Sequence, residues 1–209
     1  MFFSESDIEQ LPKLKRVNLI NSLTGFKSAN LIGTVNNIGE TNLSIISSVV
    51  HLGSHPPLIG YIQRPRAVAR HTYENIVYQK KYTINAIRQD FIEQAHQTSA
   101  RYPRNVSEFT ETNISIQWLK NFEAPFVKES PIKIGLELQN IIPIPDNDTE
   151  LVIGKIVQLY VPEEVLMPDG HLEIYNSGVV AIAGLDTYLK TEKIARYSYA
   201  KPGKKLTEI

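Results

Sequence analysis

The 209-residue chain contains no cysteine. That removes disulfides, iron–sulfur clusters, zinc–thiolate sites and thiol redox chemistry together. Any redox work must then rest on an organic cofactor. Net charge is missing too, because 22 basic and 22 acidic residues cancel. No global field draws the molecule to nucleic acid or to an anionic membrane. No uncharged apolar run reaches membrane-spanning length. The start, Met1-Phe2-Phe3-Ser4-Glu5, lacks the cationic region and apolar core of a secretory signal. A soluble cytoplasmic protein is the expectation.

Signature motifs are absent as well. There is no Gly-x-Gly-x-x-Gly fingerprint for a dinucleotide fold, no Gly-x-x-x-x-Gly-Lys-Ser/Thr phosphate loop and no Gly-x-Ser-x-Gly nucleophile elbow. The five histidines form no ligand pattern. His51 and His55 are four apart, but Gly53 and Pro56 break the helical face they would need to share. No metal site and no catalytic residue can be named.

What is present is a run of short β-strands. Hydrophobic residues make up 42% and charged residues 21%, ordinary for one globular domain with a full core. A single domain spanning 1–209 is expected, with its core at about 21–200. Ala29 to Val35 reads as a strand, Asn36-Asn37-Ile38-Gly39 as a tight hairpin turn and Thr41 to Val50 as the return strand. Further strands are expected at Leu58 to Ile62, Tyr82 to Ile87, Ile132 to Ile142, Leu151 to Val161 and Ile194 to Ala200. Pro143 to Asp148 reads as a hairpin loop. Helices are fewer: Thr72 can cap one running to Gln79, Asp90 and Glu93 resemble a capping box, and Asn105 to Glu108 can start a short turn. Many strands with brief helical excursions argue for a mainly β fold, barrel or sandwich, which periodicity alone does not separate.

Two segments carry candidate chemistry. Asn42-Leu43-Ser44-Ile45-Ile46-Ser47-Ser48 places three hydroxyls and an amide on one strand. Alternation sends Asn42, Ser44, Ile46 and Ser48 to one face and Leu43, Ile45 and Ser47 to the other. Small polar groups in an apolar setting suit a flat heterocycle, although a solvated strand would carry the same residues. Downstream, Gln63-Arg64-Pro65-Arg66-Ala67-Val68-Ala69-Arg70-His71-Thr72 brings three arginines and a histidine to a helix start. Guanidinium forks beside free helix N–H groups suit a phosphate, although a solvated basic loop would read alike. Only one short strand separates the segments. They can therefore grip the two ends of one elongated ligand, a planar ring and a phosphate.

The order of motifs resembles the flavin-reductase-like, FMN-binding split-barrel family, and within it the flavoprotein oxygenase and reductase branch. Asn42-Leu43-Ser44-Ile45-Ile46-Ser47 is similar to the family's Asn-Leu-Ala-Pro-Phe/Tyr-Ser strand, and His55-Pro56-Pro57-Leu58-Ile59-Gly60 to its Asp-Pro-Pro-aliphatic strand. Arg70-His71-Thr72-Tyr73-Glu74-Asn75-Ile76 resembles Lys-Asp-Thr-x-x-Asn-Ile, and Tyr82-Thr83-Ile84-Asn85 resembles Phe-Val-Val-Asn. Thr98-Ser99-Ala100 with Glu108-Phe109 is similar to the family's helical insert. Ser130-Pro131-Ile132 and Leu151 to Ile156 are similar to its later strands.

The resemblance implies a six-stranded split β-barrel, mainly β with short helices, that forms a homodimer with FMN at the subunit interface. It implies that Asn42, Leu43, Ser44, Ser47 and Ser48 contact the flavin ring and ribityl chain. Arg64, Arg66, Arg70, His71 and Thr72 would hold the phosphate. The implied function is an FMN-dependent oxidoreductase reducing flavin with NADH or NADPH, or acting on a small-molecule substrate. The alternatives are an electron-carrier module without nicotinamide activity and a non-catalytic dimeric split barrel. His71 stands where the family has Asp. Ile182, in Ala181-Ile182-Ala183-Gly184-Leu185-Asp186-Thr187-Tyr188, stands where it has Arg. The second departure leaves open any contact with nicotinamide that the Arg would make.

Overall fold

The computed structural model describes residues 1–209. Two helices lead, α1 (Glu5–Gln10) and α2 (Lys13–Leu23), followed by strands β1 (Lys27–Ser28), β2 (Asn30–Val35), β3 (Thr41–Ile46), β4 (Val50–Ser54) and β5 (Pro57–Gln63). Helix α3 (His71–Gln79) precedes β6 (Lys81–Ala86), and an insert follows with α4 (Ile92–Gln97) and α5 (Glu108–Glu111). Then come β7 (Ile116–Gln117), β8 (Phe126–Val127), the long pair β9 (Lys133–Ile144) and β10 (Thr149–Tyr160), and the hairpin β11 (Val180–Ala183) and β12 (Thr187–Lys190).

Seven strands form one antiparallel sheet in the order β3-β2-β6-β9-β10-β5-β4. This is the split barrel, mainly β with short helices. Its β9–β10 ladder carries register shifts between Ile153 and Gly154 and between Ile156 and Gln158. Such bulges bend strands and let a sheet curl. The curl brings the two flanks together: Ser48, just past β3, donates through Oγ to the Ile62 carbonyl on β5 at 3.3 Å and accepts from the Ile62 N–H at 3.1 Å. Inside, Ile32, Tyr61, Ile84, Leu136 and Val152 form one buried cluster. Gly154 makes room for it, because a Cβ there would collide with the Tyr82 hydroxyl. A second cluster lies under the insert and the last hairpin, joining Leu31, Leu43, Ile87, Phe91, Phe109 and Ile182.

Several expectations need correcting. The sheet has seven strands rather than six, because Val50–Ser54 pairs with β5 as a separate edge strand and Thr41–Ile46 ends earlier than Val50. Ile194 to Ala200 is no strand: Tyr197 makes one isolated bridge to Glu208, and Ile194 is 98% exposed. Its β-branched and aromatic residues meet no sheet edge to pair with. Strands β11 and β12 form upstream instead, turning at Gly184, whose φ of +60° suits glycine. Thr72 does not cap α3. Arg70 takes that position, and the Thr72 hydroxyl is used elsewhere. Asp90 pairs with Arg88 rather than capping a helix. No helix is long and apolar enough to cross a membrane.

Candidate functional site

Strands β3 and β5, the start of α3, the insert after α4 and the β11–β12 turn surround a cavity of about 990 Å³. The two sequence segments meet here, as strand–loop–helix connectivity allows. Asn42, Ser44, Ser47 and Ser48 line it from the β3 side, and Arg64, Arg70, His71 and Thr72 from the loop before α3. Leu43 and Arg66 do not line it.

Leu43 is fully buried in the core beneath the insert, because it occupies the opposite face of β3. Its backbone N–H donates to the Glu108 Oε2 at 2.9 Å, so neither its side chain nor its amide is free for a ligand. Arg66 turns to β10 instead. Its Nε lies 3.3 Å from the Glu150 carboxylate, and its guanidinium stacks 5.0 Å from the Tyr73 ring centre. Tyr73 donates its own hydroxyl to Glu150 at 3.1 Å. Arg66 therefore already has an anion and an aromatic face.

The remaining candidates divide by what their polar atoms already do. Ser48 is used in joining β3 to β5, as described. Arg70 donates from Nε and Nη2 to the Pro65 carbonyl at 3.3 and 3.1 Å, which folds the basic loop onto itself. Asn42 is 8% exposed and its amide is saturated. Its Nδ2 donates to both Glu108 oxygens, at 2.9 and 2.7 Å, while its Oδ1 accepts from Thr72 Oγ1 at 2.6 Å. Behind it, Asn75 donates to Thr34 Oγ1 at 3.0 Å. By contrast, the Ser44 and Ser47 hydroxyls and the Arg64 guanidinium line the cavity with no partner in the chain.

Sequence reasoning missed two contributors. Glu108 at the start of α5 is 5% exposed and lines the cavity floor. Burial pushes its pKa up from the usual glutamate value, while N–H groups from Leu43 and Asn42 pull the other way. It sits sixty-six positions from Asn42, so no local spacing could reveal the pair. Arg101, on the insert, also lines the cavity without an ion pair. Neighbouring Arg104 is instead ion-paired with Glu74 on α3.

The electrostatics of the basic side follow from this crowding. Burial lowers the pKa of Arg70, and the nearby Arg64 and Arg101 charges add to the effect. Burial likewise lowers Lys27, helped by Arg64. His71 is held below its ordinary value by burial and by Arg104, which favours the neutral ring at physiological pH. Lys27, Arg64, Arg70 and Arg101 therefore share one field in which none is paired with an anion; Lys27 and Arg70 donate only to backbone carbonyls, and the Arg64 and Arg101 side chains have no partner in the chain. Such an arrangement attracts an anionic group.

A family model described as "flavin reductase like domain" matches residues 23–183. A solved structure from Shewanella frigidimarina NCIMB 400, provisionally assigned as a flavin reductase with a split barrel domain, is 50% identical; the match covers 96% of this chain and 100% of that one, with a TM-score of 0.92. Component B of nitrilotriacetate monooxygenase from Bacillus cereus is 19% identical over 92% of this chain and 96% of its own, with a TM-score of 0.80, a likeness of fold. An uncharacterized protein from Aquifex aeolicus strain VF5 is 21% identical over 65% of this chain and 69% of its own length.

Proposed function

Since this chain belongs to the flavin-reductase-like domain family, we propose that the cavity holds FMN and that the protein is an NAD(P)H-dependent flavin oxidoreductase working as a homodimer. The observation that carries this reading is the pairing, around one cavity, of the unengaged Ser44 and Ser47 hydroxyls with the unpartnered Arg64 and Arg101 and the open N-terminus of the nine-residue helix α3.

The donor set fits the group. A phosphate monoester carries about two negative charges near neutral pH. Two free guanidinium groups and the N–H groups of a helix start match it in charge and geometry. The Ser44 and Ser47 hydroxyls can give or take hydrogen bonds along the edge of a heterocycle, and Ile45 and Ile46 between them supply an apolar bed. Flavin, when bound, supplies the hydride chemistry, taking hydride at N5 from the nicotinamide C4. The chain's own residues have to bind, orient and keep water out. No protein acid or base is required, in agreement with a cavity whose one deeply buried carboxylate is committed to amide N–H groups. Exposed apolar side chains on two strands of the sheet, Val50 and Leu52 of β4 and Val157 and Leu159 of β10, support a second copy packing against the barrel.

One observation favours a second reading, an electron-carrier module without nicotinamide activity. Ile182 lines the cavity but is 2% exposed and locked in the core, so this position offers a dinucleotide no charge. The test is the visible spectrum of the protein loaded with FMN, followed under anaerobic addition of NADH and then NADPH. Bleaching of the flavin band supports the oxidoreductase. A band that resists both nucleotides but is bleached by a chemical reductant supports the carrier. A protein that retains no FMN removes both.

A further inference from the structure

The buried chain of hydrogen bonds beneath the cavity has a fixed direction. Glu108 receives N–H groups on both oxygens, from Asn42 Nδ2 at 2.9 and 2.7 Å and from the Leu43 backbone at 2.9 Å. Neither oxygen faces an acceptor for a carboxyl proton. A carboxylate can only accept. The Asn42 amide must therefore turn its NH2 to Glu108, which removes the usual O/N ambiguity of an asparagine side chain. Its Oδ1 then faces Thr72, 2.6 Å away, and Thr34 at 3.5 Å. A carbonyl oxygen also only accepts, so the single Thr72 Oγ hydrogen has to point at Asn42. Thr72 lines the cavity with lone pairs alone.

That polarity selects what can sit against the Thr72 hydroxyl. A phosphate dianion carries acceptors only and would meet it lone pair to lone pair. A sugar-alcohol hydroxyl carries a hydrogen to give. We propose that Glu108 is a positioning residue that, through Asn42, commits the Thr72 hydroxyl to accepting. Thr72 then takes a ribityl hydroxyl of the ligand, and the phosphate is held by Arg64, Arg101 and backbone N–H groups. This rests on the flavin reading above and divides the ligand differently from the sequence expectation, which put Thr72 on the phosphate.

The test uses three flavins that share one ring: lumiflavin without a ribityl chain, riboflavin with it, and FMN with chain and phosphate. Dissociation constants are measured for the full-length protein by quenching of flavin fluorescence. Thr72→Val should weaken riboflavin and FMN by the same factor, about fivefold for one neutral hydrogen bond, and leave lumiflavin unchanged. Thr72→Ser should restore both. Glu108→Gln, which releases the Asn42 amide to turn over, should show the same selectivity for ribityl-bearing ligands. A loss confined to FMN in Thr72→Val would put Thr72 on the phosphate and overturn the assignment. Equal loss of all three flavins in Glu108→Gln, lumiflavin included, would make Glu108 a structural prop and overturn it as a positioning residue. Should wild-type protein bind none of the three, the flavin reading itself falls and takes this assignment with it.

Discussion

The two sides of the cavity differ in how their polar groups are employed. Beneath β3, Asn42, Thr72, Thr34, Asn75 and Glu108 are linked in one chain of side-chain hydrogen bonds that leaves only the Thr72 lone pairs for the cavity. Arg64 and Arg101, by contrast, line the same cavity with no protein partner. The first side is scaffold with a built-in polarity, and the second is open valence. A polar residue in a binding cavity is thus not automatically a ligand contact, because its partners decide what it still has to offer.

The largest effect expected from this contrast is on folding. Leu43→Ala empties a fully buried position in the core under the insert. It should cost about 2–5 kcal/mol of stability in denaturant unfolding. If stability is unchanged and flavin affinity collapses instead, Leu43 belongs to the ligand side after all.

Next come the open cations. Arg64→Ala or Arg101→Ala should weaken FMN by about 1–3 kcal/mol, as for a charge-assisted hydrogen bond, and leave riboflavin almost unaffected. Parallel titrations of the two ligands read this directly, and equal weakening of both would erase the contrast. Arg66→Ala is the matched control. Its charge is already paired with Glu150 and its side chain is 57% exposed, so it should cost no more than about 1 kcal/mol of stability and spare the FMN preference.

The smallest effect is a pH trend. Burial raises the Glu108 pKa above its ordinary 4.5, so protonation is easier in the fold than in the unfolded chain, while the N–H groups of Asn42 and Leu43 oppose the shift and hold the ionised form as an acceptor. The stability this contributes is complete below pH 4.5 and is lost as pH rises through the folded-state value. Wild type should therefore lose ground to Glu108→Gln as pH climbs from 4 towards neutrality. Paired denaturant curves at a series of pH values check the sign. A gap that widens in the wild type's favour would mean that the carboxylate is stabilised, not strained, by its surroundings.

Much of the framework was legible in the sequence because its signals are local. The β2–β3 hairpin announced itself through Asn36 to Gly39, with Gly39 at φ +88° as such a turn requires. The convergence of the Ser-rich strand and the arginine loop followed from the short link between them, although that link holds two strands, β4 and β5, where one was expected. What escaped depended on distant partners. Nothing near Arg66 reveals that Glu150 will take its charge, and Glu108 reads as a surface glutamate until the insert folds over β3. The return strand expected over Thr41 to Val50 overruns the end of β3, and the edge strand Val50–Ser54 escapes notice, because β-propensity marks strand residues but not the break at Ser47–Ser48, where the chain leaves one edge of the sheet for the other.

The measurement closest to the central claim is equilibrium binding of FMN and riboflavin to the purified protein at low ionic strength and again at high salt. The account predicts that FMN binds more tightly than riboflavin, and that added salt narrows the difference as the arginine field is screened. Equal affinity for the two ligands at low salt, or no affinity for either, would contradict it.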